Sequence, residues 1–518
     1  MNEQTIAAID VGTNSVHLVV ARPTPHGPLD ILAREKVSVR LGSGGSDMKQ
    51  LDPAAVERAV EAIGYFAGIA AAYGAHTVAV ATSAVRESEN PGLFLDAVRE
   101  ATGVVVDVIP GAEEARLIHL GAISAVPAGP TNHLIIDIGG GSTELILGSG
   151  TEPILTRSLK LGHVRLTDRF LPGGVIEDGA VKKLRKYLKS FLAPTAAEFV
   201  AIGHDTAIGC SGTIENVAAI AARLGGHKIR TIDNLVLTRD GLEAVVDDLV
   251  SRHRPADREP VPGLDPARAD VIVAGAVLLR QLFKSLEISE MIVSPNALRE
   301  GVVLDHVSRR AGDTRALHHL SDLRHRSVMG VAERYEEDLT HAEHATDLAL
   351  QLFDRTAVIH DLGEAERQVL EAAGLLHNVG RFIAHAAHHK HSYYLIRHSE
   401  QLLGFTEHEL EMVALVARYH RKSAPRSSHA EFARLSAPDR RTVKVLAGLL
   451  RVGIGLDRSY RRAVTAARAD IDDEQVRITL DVEPGADAEL ELYAARERSP
   501  LLADALGRAV SIDVAEEP

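Results

Sequence analysis

The sequence predicts an α/β protein of two similar lobes that face each other across a cleft, continued by an α-helical domain and a small α/β tail. Three observations predict it. Two strand, turn, strand segments with matching Asp-x-Gly turns, at Asp10 to Ser15 and at Asp137 to Glu144, stand one domain's length apart. Between them helical periodicity alternates with short strand-like runs, as βα units require. Beyond about Ser321 the strand signals largely vanish and helical periodicity takes over.

The elements follow in order. Thr5 to Ile9 and Val16 to Val20 are strand-like and bracket the first turn. Helical patterns cover Pro53 to Tyr73, Asn90 to Thr102 and Glu113 to Val126, with strands at Thr77 to Ala81 and Val104 to Ile109. Gly74, Gly103 and Gly121 punctuate these helices. The second lobe repeats the opening with strands at His133 to Ile136 and Leu145 to Leu147. It continues through a helix from Gly179 to Leu192, a strand near Phe199 to Ile202, and a strand at Thr206 to Gly209 that runs into Cys210-Ser211-Gly212-Thr213. A strand at Met291 to Ser294 leads to Leu298-Arg299-Glu300-Gly301. Ser308 to Ser321 is polar and basic and is expected as a linker. In the tail, Val476 to Val482 and Ala488 to Leu492 alternate like strands. The expected domains are 1–126, 127–307, 322–453 and 454–518.

Composition bounds the function classes. A chain of 518 residues is too long for one hydrophobic core, and 45% hydrophobic with 25% charged residues is the balance of a soluble folded protein. The single cysteine, Cys210, cannot form an intramolecular disulfide, and Met1 to Gln4 carries no basic lead before an apolar stretch; a cytoplasmic protein is expected. The apolar runs are too short for a bilayer, so no membrane role is expected. A formal net charge of −14 argues against nucleic acid but leaves room for a local cationic channel that takes a polyanion. Self-association into a homodimer is left open.

The most informative stretch is Asp137-Ile138-Gly139-Gly140-Gly141-Ser142-Thr143-Glu144. Gly139, Gly140 and Gly141 let the backbone approach a ligand and turn N–H groups onto one anion, and Ser142 adds a hydroxyl. Asp137 and Glu144 flank that nest with the carboxylates that a Mg²⁺ or Mn²⁺ ion bridging phosphate oxygens needs. At the matching turn Thr13, Asn14 and Ser15 offer hydroxyl and amide hydrogen bonds to a phosphate, and Asp10 a carboxylate to the ion. Ser211, Gly212 and Thr213 before a helix make a third anion-ready element, since helix N-termini carry free N–H groups; a plain N-cap is the alternative.

These stretches, with Ala81-Thr82-Ser83-Ala84-Val85-Arg86, Gly111-Ala112-Glu113-Glu114-Ala115-Arg116-Leu117 and Leu298-Arg299-Glu300-Gly301, resemble the exopolyphosphatase/guanosine pentaphosphate phosphatase family. That family lies within the actin-like (ribonuclease H-like, ASKHA) fold of sugar kinases and Hsp70 ATPases. The resemblance covers about the first 305 residues. It implies a two-lobed phosphohydrolase in which the glutamate of the Glu-Glu-Ala-Arg segment activates water, placed on Glu114 with Glu113 as the alternative. Arg86 is the candidate for charge on the transferring phosphoryl group, because a planar guanidinium fork matches phosphate oxygens. Glu144 joins these as a catalytic candidate. Arg299 and Arg40 are expected to hold the rest of the substrate, although Ala297 stands where the family has glycine. The activity implied first is exopolyphosphatase; the alternative is hydrolysis of guanosine pentaphosphate (pppGpp) to the tetraphosphate, and a kinase or ATPase comes third.

The helical domain resembles the HD phosphohydrolase fold, with His341 as first histidine and His377-Asn378 in place of the His-Asp pair. Asn378 and Ile454 stand where carboxylates are expected, which weakens any site for a hard cation. A non-catalytic domain that binds polyanions through His388, His389, Lys390, His391, Arg418, Arg421 and Lys422 is expected. A metal site among His385, His388, His389, His391, His398 and His420 is the alternative.

Overall fold

The structure, a computed structural model, describes residues 5–24, 29–42, 49–126, 131–226, 231–310 and 314–515, with the side chains of 309–322 left aside. The lead 1–4, residues 127–130 just past the expected boundary between the lobes, and the centre of the expected linker, 311–313, lie outside them. Two compact units divide the chain, Met1–Leu317 and His318–Pro518.

The first unit holds both lobes. Lobe I is a five-stranded sheet built from β1 (Ile6–Val11), β2 (Ser15–Arg22), β3 (Asp30–Ser38), β4 (His76–Ala81) and β5 (Val106–Val108), in the order β3-β2-β1-β4-β5. Lobe II contains β6 (Asn132–Ile138), β7 (Thr143–Ser149), β8 (Glu152–Leu159), β9 (Thr206–Cys210), β10 (Val236–Thr238) and β11 (Glu290–Val293), in the order β10-β11-β9-β6-β7-β8. In each lobe an antiparallel meander of three strands opens the sheet, and parallel strands extend it on the other side of the first. The duplication read from the two turns is therefore a duplication of sheet topology, with β10 as an added edge.

Both turns close with the same hydrogen bond, Gly12 N–H to Ser15 O at 3.1 Å and Gly139 N–H to Ser142 O at 3.0 Å. A side chain at Gly140 would press on Thr13, so the two turns meet directly across the cleft. Behind them an apolar layer, including Ile6, Ala8, Ile118, Ile135, Ile208 and Val303, joins the two sheets. Helices Gly111–Ala125 and Leu298–Arg310 cross within it so closely that a Cβ at Gly121 or Gly301 would collide with the opposite helix's backbone. That contact presents the Glu113-Glu114 turn on one helix and Arg299 on the other to the same region.

In the second unit helices Thr340–His360, Glu364–Leu376, Glu407–Arg418 and Ala437–Leu456 share one core with a small sheet, β12 (Val464–Ile471), β13 (Gln475–Val482) and β14 (Ala509–Val514). Ala495 packs on Gly455 and Leu502 on Gly448, so the tail closes the helical core.

Three expectations are corrected. Phe199 to Ile202 is the last turn of helix Ala180–Ile202; Leu184, Leu188, Leu192, Ala196 and Phe199 form one buried stripe that continues past Pro194. A four-residue apolar run cannot by itself be told from a helix end. Ala488 to Leu492 is the start of helix Glu489–Arg498, with Ala488 as its cap, where the buried Glu491 accepts the Ser459 N–H at 2.9 Å; long-range packing overrides a short alternation. The expected linker is largely helix, Leu298–Arg310 before 311–313 and Thr314–Tyr335 after, since arginines propagate helices well. Among the described residues no helix is long and apolar enough to cross a membrane.

Candidate active site

A cavity of about 450 Å³ lies where the turns after β1 and β6 meet, and its wall carries Asp10, Thr13, Asn14, Ser15, Glu114, Asp137, Gly139, Gly140, Ser142, Glu144, Ser211, Gly212 and Arg299. Residues from far-separated segments are thus brought to one place. Gly141 and Thr213 are not on the wall. Gly141 lends its carbonyl to Arg165 at 2.9 Å, and Thr213 is buried behind the wall, 3.2 Å from Ile138 O and 3.0 Å from His163 Nδ1. Arg40 also stands off the wall, paired with Asp270 at 3.0 Å.

The adjacent glutamates are separated by packing. Successive residues on a helix point about 100° apart, so only one of the pair can face the cavity. Glu113 is held by Arg116, which donates from Nε at 2.8 Å and from Nη2 at 2.7 Å and also reaches Asp305 at 2.7 Å, all buried. Glu114 lines the cavity and accepts from Arg86 Nη1 at 2.9 Å. Arg86 therefore differs from its expected place. Its guanidinium lies behind Glu114, with a second bond to Ile109 O at 2.8 Å, where it orients that carboxylate. This follows from a short helix, Ser83–Glu87, that puts Arg86 in its last turn, beneath the wall formed by Thr82 and Ser83.

The carboxylates share one dry space. Burial pushes Asp10 up to about 7, aided by Glu114 and Glu300 and opposed by Arg299. Burial also raises Asp137 to about 7, with Glu114, Asp10 and Glu215 adding repulsion. Glu144 is driven well above the usual range by burial, then by Glu114 and Asp137, although Ser158 donates to it at 2.8 Å. Glu114 is raised by burial and held back by Arg86. Such a donor set suits a hard divalent cation, which removes the repulsion and needs only one or two carboxylates when substrate phosphates and water complete the shell. Among the described residues no three side chains of the His, Cys, Asp and Glu types are already arranged around one point to ligate an ion.

Further residues complete the site, some of them without a motif to announce them. Ser83 Oγ meets Thr13 Oγ1 at 2.9 Å. Ser211, at φ +79°, bridges the Ile138 N–H and carbonyl at 3.2 and 3.0 Å, a strained position stapled to β6. His17, kept neutral by burial and then by Arg299, accepts from Arg299 Nη1 at 3.3 Å. Lys36 and Arg268 line the far wall, and Arg268 lies so close over Gly212 that a Cβ there would strike its guanidinium. Thr82 and Ser83 were within a stretch legible in the sequence; Lys36 and Arg268 are isolated basic residues that no spacing marks.

In the second unit His341, His377, Asn378, His388, His420 and Ile454 line a separate cavity of about 170 Å³. His385, His391 and His398 are not on its wall. Asp457, one turn beyond Ile454, accepts from His341 Nδ1 at 2.7 Å. Burial lowers His377 to about 3 and holds His420 well below the usual value. A histidine with a lowered folded value contributes stability that is complete above its unfolded value near 6.5 and is lost as pH falls from there toward the folded value. Thermal unfolding of the full chain is expected to show this, with a lower transition temperature for the second unit at pH 5.5 than at pH 7.5. Each histidine held neutral costs at most about 1.4 kcal/mol per pH unit in that window. An unchanged transition across that range would mean these rings are solvated in solution.

Comparison with known proteins adds three findings. The model of the Ppx/GppA phosphatase family matches residues 19–310, and that of Ppx/GppA phosphatase, domain III, matches residues 323–498. A guanosine-5'-triphosphate,3'-diphosphate pyrophosphatase of Photobacterium profundum is 31% identical, over 80% of this chain and 80% of its own length; that of Vibrio vulnificus is 29% identical, over 96% and 97%. The crystal structure of an exopolyphosphatase from Cytophaga hutchinsonii is 30% identical, with a TM-score of 0.55 over 59% of this chain and 98% of that one.

Proposed function

The chain belongs to the Ppx/GppA phosphatase family, and from that premise we propose that it hydrolyses the terminal phosphoanhydride of guanosine 5'-triphosphate 3'-diphosphate. The observation that carries the hydrolase reading is that the buried Glu114 faces the meeting point of two phosphate-ready turns while its neighbour Glu113 is tied away.

The residues divide the work. The Thr13 to Ser15 turn and the Gly139-Gly140 nest cradle the terminal phosphate and hold it still. Glu114, oriented by Arg86, takes a proton from the attacking water, and its raised affinity for protons brings it toward the working range of a general base. Asp10, Asp137 and Glu144 would hold Mg²⁺ or Mn²⁺, which when bound supplies positive charge to the phosphoryl oxygens. Arg299, Lys36 and Arg268 meet the remaining phosphates from the far wall. No further role falls to Arg86 than positioning.

Two features favour the nucleotide. The relatives that match across both units bear that name. The cavity also has an apolar section, Ile232, Pro295, Ala297 and Leu298, with the Asp233 carboxylate beside it; Asn234 N–H donates to Val293 O at 3.0 Å and so sets Ile232 and Asp233 next to Pro295. An apolar wall with an adjacent acceptor suits a guanine ring and its N–H edge. Inorganic polyphosphate is the second reading, supported by the cationic far wall and by the likeness to the Cytophaga hutchinsonii structure.

Rates of phosphate release from pppGpp and from polyphosphates of defined length, compared as kcat/KM, test the choice. The nucleotide is expected to win by about tenfold or more, the margin that pocket contacts to a base supply. A preference for polyphosphate that grows with chain length would transfer the function to the second reading. Sugar-dependent ATP consumption with no phosphate released from either substrate would remove both.

A further inference from the structure

The smaller cavity in the second unit is not part of the site just described, and its wall is dominated by cations. Arg381, Arg421, Arg458 and Arg498 reach it from four separate segments, and no carboxylate shares the lining. Asp457 is already engaged by His341 and by the Arg462 N–H at 3.0 Å, and Glu336 approaches Arg381 only at 3.7 Å. Arg498 feels Arg458 and Arg421 as like charges, and its Nη1 is buried without a hydrogen-bond partner. Gathering guanidinium groups in this way is unfavourable unless an anion lies among them.

The imidazoles refine the ligand. His377 Nδ1 faces Gly374 O at 2.6 Å and His420 Nδ1 faces Ala417 O at 2.6 Å. A carbonyl accepts, so each ring keeps its proton on Nδ1 and turns a bare Nε2 lone pair inward. His388 Nε2 lies 3.3 Å from His420 Nε2. Asn378, 1% exposed, lines the same space, and its amide completes no hydrogen bond of ordinary geometry. The wall therefore presents many N–H groups that donate to a negative oxygen and a few ring nitrogens that need a donor. A protonated phosphate group offers both, acidic oxygens for guanidinium forks and one hydroxyl for an imidazole. At about 170 Å³ the space holds roughly five waters' worth of ligand, enough for one phosphate group. A divalent cation would find lone pairs but also four guanidinium charges, and among the described residues no three metal-binding side chains are arranged for it.

We propose that this cavity is a binding site for a single phosphate group, held by Arg381, Arg421, Arg458 and Arg498 with its hydroxyl turned to the ring nitrogens of the histidine cluster. This assignment does not depend on which substrate the first unit cleaves. The phosphate is either free orthophosphate or the end group of a longer phosphate chain.

Isothermal titration of the full chain with orthophosphate, in a chelating buffer, tests it. The wild type is expected to show a class of sites that is weakened about tenfold or more, the loss of a charge-assisted contact, in Arg458→Gln and in Arg498→Gln, and that survives in Arg477→Gln, an exposed change on β13. Arg458 is itself exposed, so its variant keeps the fold even if the one at the half-buried Arg498 does not. Sulfate, which lacks the hydroxyl, is expected to bind this class more weakly. Competition by tripolyphosphate assigns the site to a chain end, and its absence assigns it to orthophosphate; either supports the site. Isotherms in both arginine variants that match the wild type would overturn the proposal, as would a wild-type protein that shows no such class of sites.

Discussion

Glu114→Gln is expected to lower turnover by about a hundredfold or more while leaving substrate binding nearly unchanged, because it removes proton acceptance and little else. The amide oxygen of glutamine still accepts from Arg86 Nη1, so the 2.9 Å contact and the shape of the wall persist. Glu113→Gln has a different signature. It strips one partner from a buried ion pair in which Arg116 is held by both Glu113 oxygens and by Asp305, and breaking such a pair from one side costs about 3 kcal/mol or more. Steady-state kinetics beside thermal unfolding separates the two: lost turnover with a normal transition for Glu114→Gln, a lowered transition with milder kinetic loss for Glu113→Gln. Near-normal turnover in Glu114→Gln would take the general-base role away from it.

Chelation is expected to abolish hydrolysis, and Asp137→Asn to shift the divalent-ion titration to higher concentration. Asp137 is buried and feels Glu114, Asp10 and Glu215 as like charges, so a bound cation relieves a repulsion that persists without one. Its neutral replacement carries a second readout independent of activity. In chelator the variant is expected to unfold at the same temperature as the wild type or higher, since a buried repulsion is gone, and added Mg²⁺ is expected to stabilise it less. An Asp137→Asn protein with the wild-type Mg²⁺ midpoint and the wild-type Mg²⁺ stabilisation would place the ion elsewhere.

Local chemistry was legible from the residues alone. The two turns at Asp10 and Asp137, the alternation of strands and helices between them, and the change to helical periodicity after the second lobe all depend on neighbours within a few positions, and the structure bears them out. So does the family, because its motifs are contiguous stretches. The errors also have a local cause: Phe199 to Ile202 and Ala488 to Leu492 are too short for periodicity to decide between strand and helix.

What the sequence by itself determined, then, is which segments make a phosphate-ready turn and that one glutamate of the Glu113-Glu114 pair was a candidate base. Only the tertiary structure decided which one. The crossing of helices Gly111–Ala125 and Leu298–Arg310 brings Asp305 to Arg116 and secures the pair that ties Glu113 away, while the short helix Ser83–Glu87 sets Arg86 behind Glu114 in place of at the phosphate. The same holds for Lys36 and Arg268 on the far wall, and for the four arginines that ring the histidine cavity. A charge acquires its meaning from the charges and the dielectric around it. In this chain those neighbours come from positions far apart in sequence, where no short-range pattern can announce them.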